Sequence, residues 1–364
     1  MREGPPDEVL AGAPIWRPRV TSWLGGQMLA AEVPVRSGRV TGKADQEVIE
    51  ELSITVPRWA APTPGGDAFD WRPGVDPGHP LARFGQFLDV SIVVESVATR
   101  QVWETRIGRY QIKGWDDDDA GTITVKGESL LARARDDKLT KLTSPVGSLA
   151  SEARRLAPAG VGVSFDPALV DRACPSAMSW SKSRMENLRE IADAWPALLR
   201  VDSWGQYVFR APLPDVPAPV LRLKDGEGGT LVSAPRADSR DGVPNVVVAS
   251  TGNSAEADVQ GIAMLTSGPM SVNGPYGIVV KEWSSSLLQN HVQAQAAARS
   301  MLESAARPAQ SVPVRIAPDP RIEIDDPVSI SRGDDSPLWG WVTAWDLPLT
   351  ADGGDMRIDV GLTS

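Results

Sequence analysis

Apolar positions along this chain switch between a period of two and a period of 3.6, and the switches divide it into elements. In EVIEELSITVP, Val48, Leu52, Ile54 and Val56 fall on alternating positions, which predicts a strand over 47–57. FLDVSIVVE predicts a strong strand over 87–95, and weaker strand signals cover 28–35, 38–40, 102–106, 108–113 and 122–126. The stretch 57–85 between them is loop-like, with six prolines from Pro57 to Pro80. Short strands separated by turn residues predict a barrel or sandwich. GESLLARARD predicts a helix over 127–136 that closes this group.

A helical period takes over next. Ser144 as N-cap and Pro145 at the first position predict a helix start, with Val146, Leu149, Ala150, Ala153 and Leu156 on its apolar face. A short strand is predicted over 161–165. Met185, Leu188, Ile191, Ala192 and Trp195 mark a second amphipathic helix within 181–195. Asp202-Ser203-Trp204-Gly205 reads as the turn of a hairpin joining 197–201 to 206–210. Pro212, Pro214, Pro217 and Pro219 then mark a linker.

The last third opens with NVVVA, a predicted strand over 245–249, and holds the clearest helix of the chain within 288–306. There Ala294, Ala297, Ala298, Met301 and Leu302 recur at helical spacing, and Pro308 lies just past the end. Val312, Val314 and Ile316 then alternate as a strand, in which Pro313, lacking an N–H, predicts an edge position. Asp325-Asp326-Pro327 turns into the strand Val328-Ser329-Ile330. Trp339, Trp341 and Trp345 stand at alternate positions with Thr343 between, so an unbroken strand would place all three on one face. They are the candidate interface residues. Met356 to Leu362 predicts a final strand.

The order of these pieces resembles the hub proteins of phage tails and baseplates. In the first third the resemblance rests on Glu-Leu-Ser-Ile-Thr-Val-Pro, Gly-Gln-Phe-Leu-Asp-Val, Arg-Ile-Gly-Arg-Tyr-Gln-Ile and Gly-Thr-Ile-Thr-Val-Lys-Gly. In the middle it rests on a helix before a Leu-Arg-Val-Asp hairpin. In the last third it rests on an Asn-x-Val-x-Val strand and an Ala-rich helix followed by Pro-Asp-Pro-Arg-Ile-Glu-Ile-Asp-Asp-Pro-Val. The resemblance implies an α+β, mostly β protein of two barrel-like hub domains with an α/β insertion between them. The boundaries it implies are an N-terminal arm over 1–27, a first barrel over 28–136, an α/β domain over 137–215 and a second barrel over 216–364. It further implies a homotrimeric ring joining the sixfold tail tube to the threefold tip, through which DNA passes without specific binding. The implied partners are a tail tube or distal tail protein, tip, fibre or spike proteins, and the tape measure protein. The implied location is the tail tip or baseplate of a virion assembled in the host cytoplasm. Tails of actinobacterial phages fit the Ala- and Arg-rich composition.

Composition sharpens this reading. The 364 residues allow two or three domains, and 41% hydrophobic with 23% charged residues suits a packed core. The 33 Gly and 31 Pro fit a loop-rich β protein. Net charge is −10, without the clustered Lys and Arg of a specific nucleic-acid binder; an acidic wall lets DNA pass without sticking. The single cysteine, Cys174, excludes an intrachain disulfide and a multi-cysteine metal site. No apolar run is long enough to span a bilayer.

Catalytic signatures are missing. The two histidines, His79 and His291, have no partner at zinc-ligand spacing, and no G-x-S-x-G elbow is present. Asp116 to Asp119 lacks the spaced ligands of a calcium loop and reads as a solvated hairpin tip, as do Asp325-Asp326 and Asp334-Asp335. The expectation is a structural protein with no cofactor, no metal and no enzymatic activity. Thirteen Trp keep a second reading open, a receptor- or carbohydrate-binding tail protein that stacks sugars on aromatic platforms. A peptidoglycan hydrolase, which needs only two carboxylates, is the third.

Overall fold

The computed structural model of the chain describes residues 1–62, 65–118, 120–214, 218–235, 243–251, 259–306, 311–333 and 336–362. Asp119, Asp334-Asp335, Pro217 and Pro308 lie outside the described residues. The protein is α+β and mostly β.

The first third is built from α1 (Asp7–Ala11), β1 (Ile15–Leu24), β2 (Gln27–Ala30), β3 (Ser37–Lys43), β4 (Glu50–Pro57), the short pair β5 (Trp59–Ala60) and β6 (Phe69–Asp70), β7 (Phe87–Glu95), β8 (Val102–Asp117), β9 (Thr122–Ser129) and α2 (Leu131–Asp136). Leu52, Ile54 and Val56 of β4 are buried while their neighbours are not, the alternation of a strand with one wet face. Two predicted strands, 102–106 and 108–113, are one strand of 16 residues. A bulge opposite Val90 and Ser91 changes its register between them. The predicted helix at 127–136 starts late, because Gly127 and Glu128 still pair with Leu52 and Glu51 of β4.

Residues 1–27 are not a free arm. Over all but its last residue β1 pairs with β7, from Ile15↔Glu95 to Trp23↔Phe87, and Trp16 Nε1 donates to Leu349 O at 3.1 Å. The extreme N-terminus is also docked within the chain. Arg2 N donates to Arg321 O at 2.7 Å, and Thr105 Oγ1 donates to Glu3 O at 3.1 Å. Four prolines and little periodicity hid a strand whose partner residues lie 64 to 80 positions further on.

The middle unit holds α3 (Leu149–Leu156), β10 (Val163–Phe165), α4 (Arg184–Ala194), β11 (Leu198–Val201) and β12 (Tyr207–Arg210), with sheet order β10-β12-β11. The helix read from Ser144-Pro145 begins four residues later. Ser148 caps α3 in a reciprocal box with Ser151, and Val146 is left exposed. Trp180, Trp195, Tyr207 and Phe209 fill the core.

The last third contains β13 (Leu221–Lys224), β14 (Leu231–Ser233), β15 (Val246–Ser250), β16 (Gln260–Met264), β17 (Val280–Ser284), α5 (His291–Ala306), β18 (Ser311–Ile316), β19 (Pro327–Ser331), β20 (Leu338–Pro348) and β21 (Met356–Leu362). Strands β16-β15-β17 form a separate small sheet against which α5 packs, a layer that the expectation of one second barrel did not contain. Pro313 of β18 faces Asp359 on one side, and β14 reaches only Arg315 and Ile316 on the other, so the proline sits where an N–H is not needed.

Strand β20 joins the two ends of the chain. Its first half pairs with β19, its second half with β3 of the first third, and β21 lies along its other side. One continuous path therefore runs β14-β18-β21-β20-β3-β4-β9-β8-β7-β1-β2. The units read as two separate barrels share this sheet.

Candidate assembly surfaces

The three candidate tryptophans do not share a face. A bulge at Thr343 interrupts β20 between Val342 and Ala344. Before it, Trp341 stands opposite Gly361; after it, Trp345 stands opposite Ile358, which points the other way. Trp345 is thus in the core with Val342 and Leu347, at 2% exposure. Its ring lies under the Arg2 guanidinium, 5.4 Å away. Trp341 and Trp339 are on the opposite face, Trp341 buried and Trp339 40% exposed. Alternation in the sequence assumed an unbroken strand, and a bulge shifts every following side chain to the other face.

A cluster of buried charge sits where the three parts of the chain meet, and sequence reading did not find it. Arg2 lies 3.6 Å from Glu50 and 3.7 Å from Glu323. It also donates to the carbonyls of Ile322 and Pro320. Tyr110 Oη donates to Glu50 Oε2 at 3.1 Å. Burial pushes the Glu50 carboxyl up to about 7, with Arg2 and the Tyr110 hydroxyl opposing the rise. From the middle unit, Arg200 of β11 forks onto Asp325 at 2.6 and 3.2 Å. So Asp325 and Asp326 are not a solvated turn: Asp326 is buried, and Asp325 is held by this ion pair. Arg321 closes a second fork onto Asp319 and reaches Asp7 at 2.6 Å. No motif announces these residues, because their partners lie up to hundreds of positions away.

The middle unit is fixed to the first by its hairpin tip. Arg106 of β8 donates to Ser203 O at 2.8 Å and stacks on the Trp204 ring at 4.2 Å. Gly205 has φ +83°, and a Cβ there would fall 2.6 Å from Leu130, so only glycine fits this turn.

The histidines have structural partners. Leu81 N donates to His79 Nδ1 at 3.1 Å, so the ring proton sits on Nε2, which donates to Asp70 O. His291 lies at the edge of β16, 3.0 Å from Gln260 O. The Cys174 thiol is half-buried, and burial pushes it up to about 11, away from the thiolate form that reacts. Among the described residues, no three His, Cys, Asp or Glu side chains are placed to hold a metal ion. Nor is any helix long and apolar enough to cross a membrane. The hairpin tip at Asp116 to Asp118 is tied up internally. Asp116 pairs with Lys126, Asp117 with Arg72, and Asp118 accepts from Thr122. An open groove of about 670 Å³ follows α5 between Pro196 and Pro212; among the described residues its lining contains no tryptophan and one carboxylate, Glu303.

This architecture is the fold of phage tail proteins. The tail protein from Neisseria meningitidis superposes with a TM-score of 0.64 at 11% identity, over 95% of this chain and 96% of that one. The 43 kDa tail protein of prophage MuSo2 from Shewanella oneidensis gives 0.59 at 12% identity, over 94% and 97%. A component of the Escherichia coli type VI secretion system, itself similar to the T4 bacteriophage tail proteins gp27 and gp5, gives 0.51 at 10% identity, over 94% and 77%. No family model and no curated protein matches the chain by sequence.

Proposed function

We propose that this chain is a structural hub of a phage-type tail tip or baseplate, a homotrimer that joins the sixfold tail tube to the threefold tip and lets DNA pass. The observation that carries the reading is the agreement of fold over nearly the whole of both chains with a tail protein. Local features support it. Strand β20 and the charge cluster hold the two sheet-forming parts in one rigid frame, which suits a connector better than a catalyst. In the family that the sequence resembles, two barrel-like units per chain, taken three times, match a sixfold tube. The net charge of −10 would keep a lumen unattractive to DNA. The chain is proposed as a non-enzymatic component. It would bind a tail tube or distal tail protein on one side and tip, fibre or spike proteins on the other.

Mixing the purified chain with its neighbouring tail tube or distal tail protein tests this reading. Co-sedimentation as a defined ring-on-ring complex is the expected result. Failure to bind any tail protein, together with binding to or lysis of purified cell wall, would overturn it in favour of a receptor-binding or hydrolytic role.

A further inference from the structure

The outer face of β1, β7 and β8 differs from the rest of the sheet. Its cross-strand rows run Ile15–Glu95–Val102, Arg17–Val93–Glu104, Arg19–Ser91–Arg106, Thr21–Asp89–Arg109 and Trp23–Phe87–Gln111. Each of the four long basic side chains is arginine. Asp89 is buried beneath two of them, 2.6 Å from Arg106 and 2.7 Å from Arg109. Arg109 also covers the Phe87 ring at 4.3 Å, and Arg19 holds Glu104 at 2.6 Å. Arg17 is exposed and has no ion pair among the described residues. Trp204, stacked on Arg106, adds a ring that is 60% exposed, and Ile15 and Val102 form an apolar rim at 42% and 54% exposure.

On β3, β4 and β9 the same sheet carries one arginine, Arg39, among Thr41, Lys43, Glu51, Ser53, Thr55 and Lys126, an ordinary solvated surface. On β1, β7 and β8 Arg, Trp and Phe are enriched, and the single lysine of these strands, Lys113 at the far end of β8, is held by Glu128 at 2.6 Å; this is the composition of a protein interface. Apart from Arg17, the guanidinium groups are already held by ion pairs or stacking, as are the Phe87 and Trp204 rings, so little of their side-chain freedom is lost on docking.

We propose that this face is where a second copy of the chain docks, through acidic surface on that copy. The inference rests on the hub reading and names the surface by which copies meet. Charge selects the occupant. With Arg100, which pairs with Glu95 at 3.1 Å, five arginines face three carboxylates, Asp89, Glu95 and Glu104, leaving a positive excess of two, whereas a second copy brings a net charge of −10. Nucleic acid does not fit. Strand β1 has ten residues and is about 33 Å long. A duplex laid along it presents on the order of 20 phosphate charges to an excess of two. The basic face meeting a different, acidic patch on the next copy is a head-to-tail contact, the kind that closes a ring.

The test compares the wild type with the double variant Arg17→Glu, Arg19→Glu, with Trp204→Ala, and with Arg39→Glu on the outer face of β3 as control. Sedimentation velocity over a concentration series gives the assembly midpoint, and thermal unfolding confirms that each variant is folded. The expected result is a trimeric wild type whose midpoint rises about tenfold or more in the double variant and in high salt. A similar rise is expected in Trp204→Ala, and none in the control. A trimeric wild type with unchanged midpoints in both test variants overturns this inference and leaves the hub reading standing. A wild type that stays monomeric at every concentration, alone and mixed with a neighbouring tail protein, overturns both. Binding of duplex DNA that is lost in the double variant would reassign the face to nucleic acid.

Discussion

Glu50 shows at the scale of one residue how the joint between parts of the chain is charged. Its side chain is 12% exposed and faces Arg2 from the N-terminus, Tyr110 from β8, Glu323 from the loop before β19 and Arg210 from β12. Burial raises its carboxyl from the ordinary 4.5 to about 7. The folded chain therefore holds a proton that the unfolded chain gives up between these values. The contribution to stability is complete below about pH 4.5 and is lost as pH rises through about 7. Replacing Glu50 with Gln removes that dependence and leaves a partner for Tyr110. Urea unfolding of Glu50→Gln is expected to show a gain of about 1–3 kcal/mol over wild type at pH 8, shrinking toward pH 5. A variant less stable than wild type at pH 8 would contradict this account.

Elements were legible where the apolar run is continuous, as in a strand buried on both faces, or where it alternates against one wet face. The run FLDVSIVVE became β7 with its boundaries intact, and SVPVRI became β18. The losses have specific causes. The reading of Trp345 failed at the Thr343 bulge, which adds one residue without any mark in the sequence. Strands β16 and β17 read QGIAM and VKEWS, too polar and too short to signal a period. Strand β16 depends on a tertiary device instead. Gln295 of α5 donates from Nε2 to Ile262 O at 2.8 Å and accepts from Ile262 N at 3.1 Å, while His291, one turn earlier, takes Gln260. One helix turn of about 5.4 Å nearly matches a two-residue strand repeat of about 6.6 Å. The two side chains thereby stand in for a neighbouring strand and guard the edge. Gly261 permits the approach, since a Cβ there would lie 2.2 Å from the backbone of Ala294. Replacing Gln295 with Ala is expected to speed hydrogen exchange of the Ile262 amide at least about tenfold while the core of β7 stays protected. Unchanged exchange at Ile262 would show that the clamp is not what protects the edge.

At the scale of the molecule, the α+β, mostly β class was readable, but the way its parts are joined was not. Shared strand β20, the docked N-terminus and the Arg200–Asp325 fork are all long-range. The fork is 13% and 8% exposed on its two sides, so removing one partner strands a buried charge. Arg200→Ala is expected to cost about 3 kcal/mol in denaturant unfolding, and adding Asp325→Ala to recover part of it. Additive losses in the double variant would mean that the pair does not couple the middle unit to the frame.

The central claim is that three such frames make one ring. Light scattering on the purified chain, with negative-stain imaging of the same sample, tests it most directly. The expected result is a particle of about 117 kDa, three chains of 38.9 kDa, with threefold symmetry and a central hole, formed alone or on mixing with a neighbouring tail protein. A stable monomer of 38.9 kDa that binds wall polysaccharide and never assembles would contradict it.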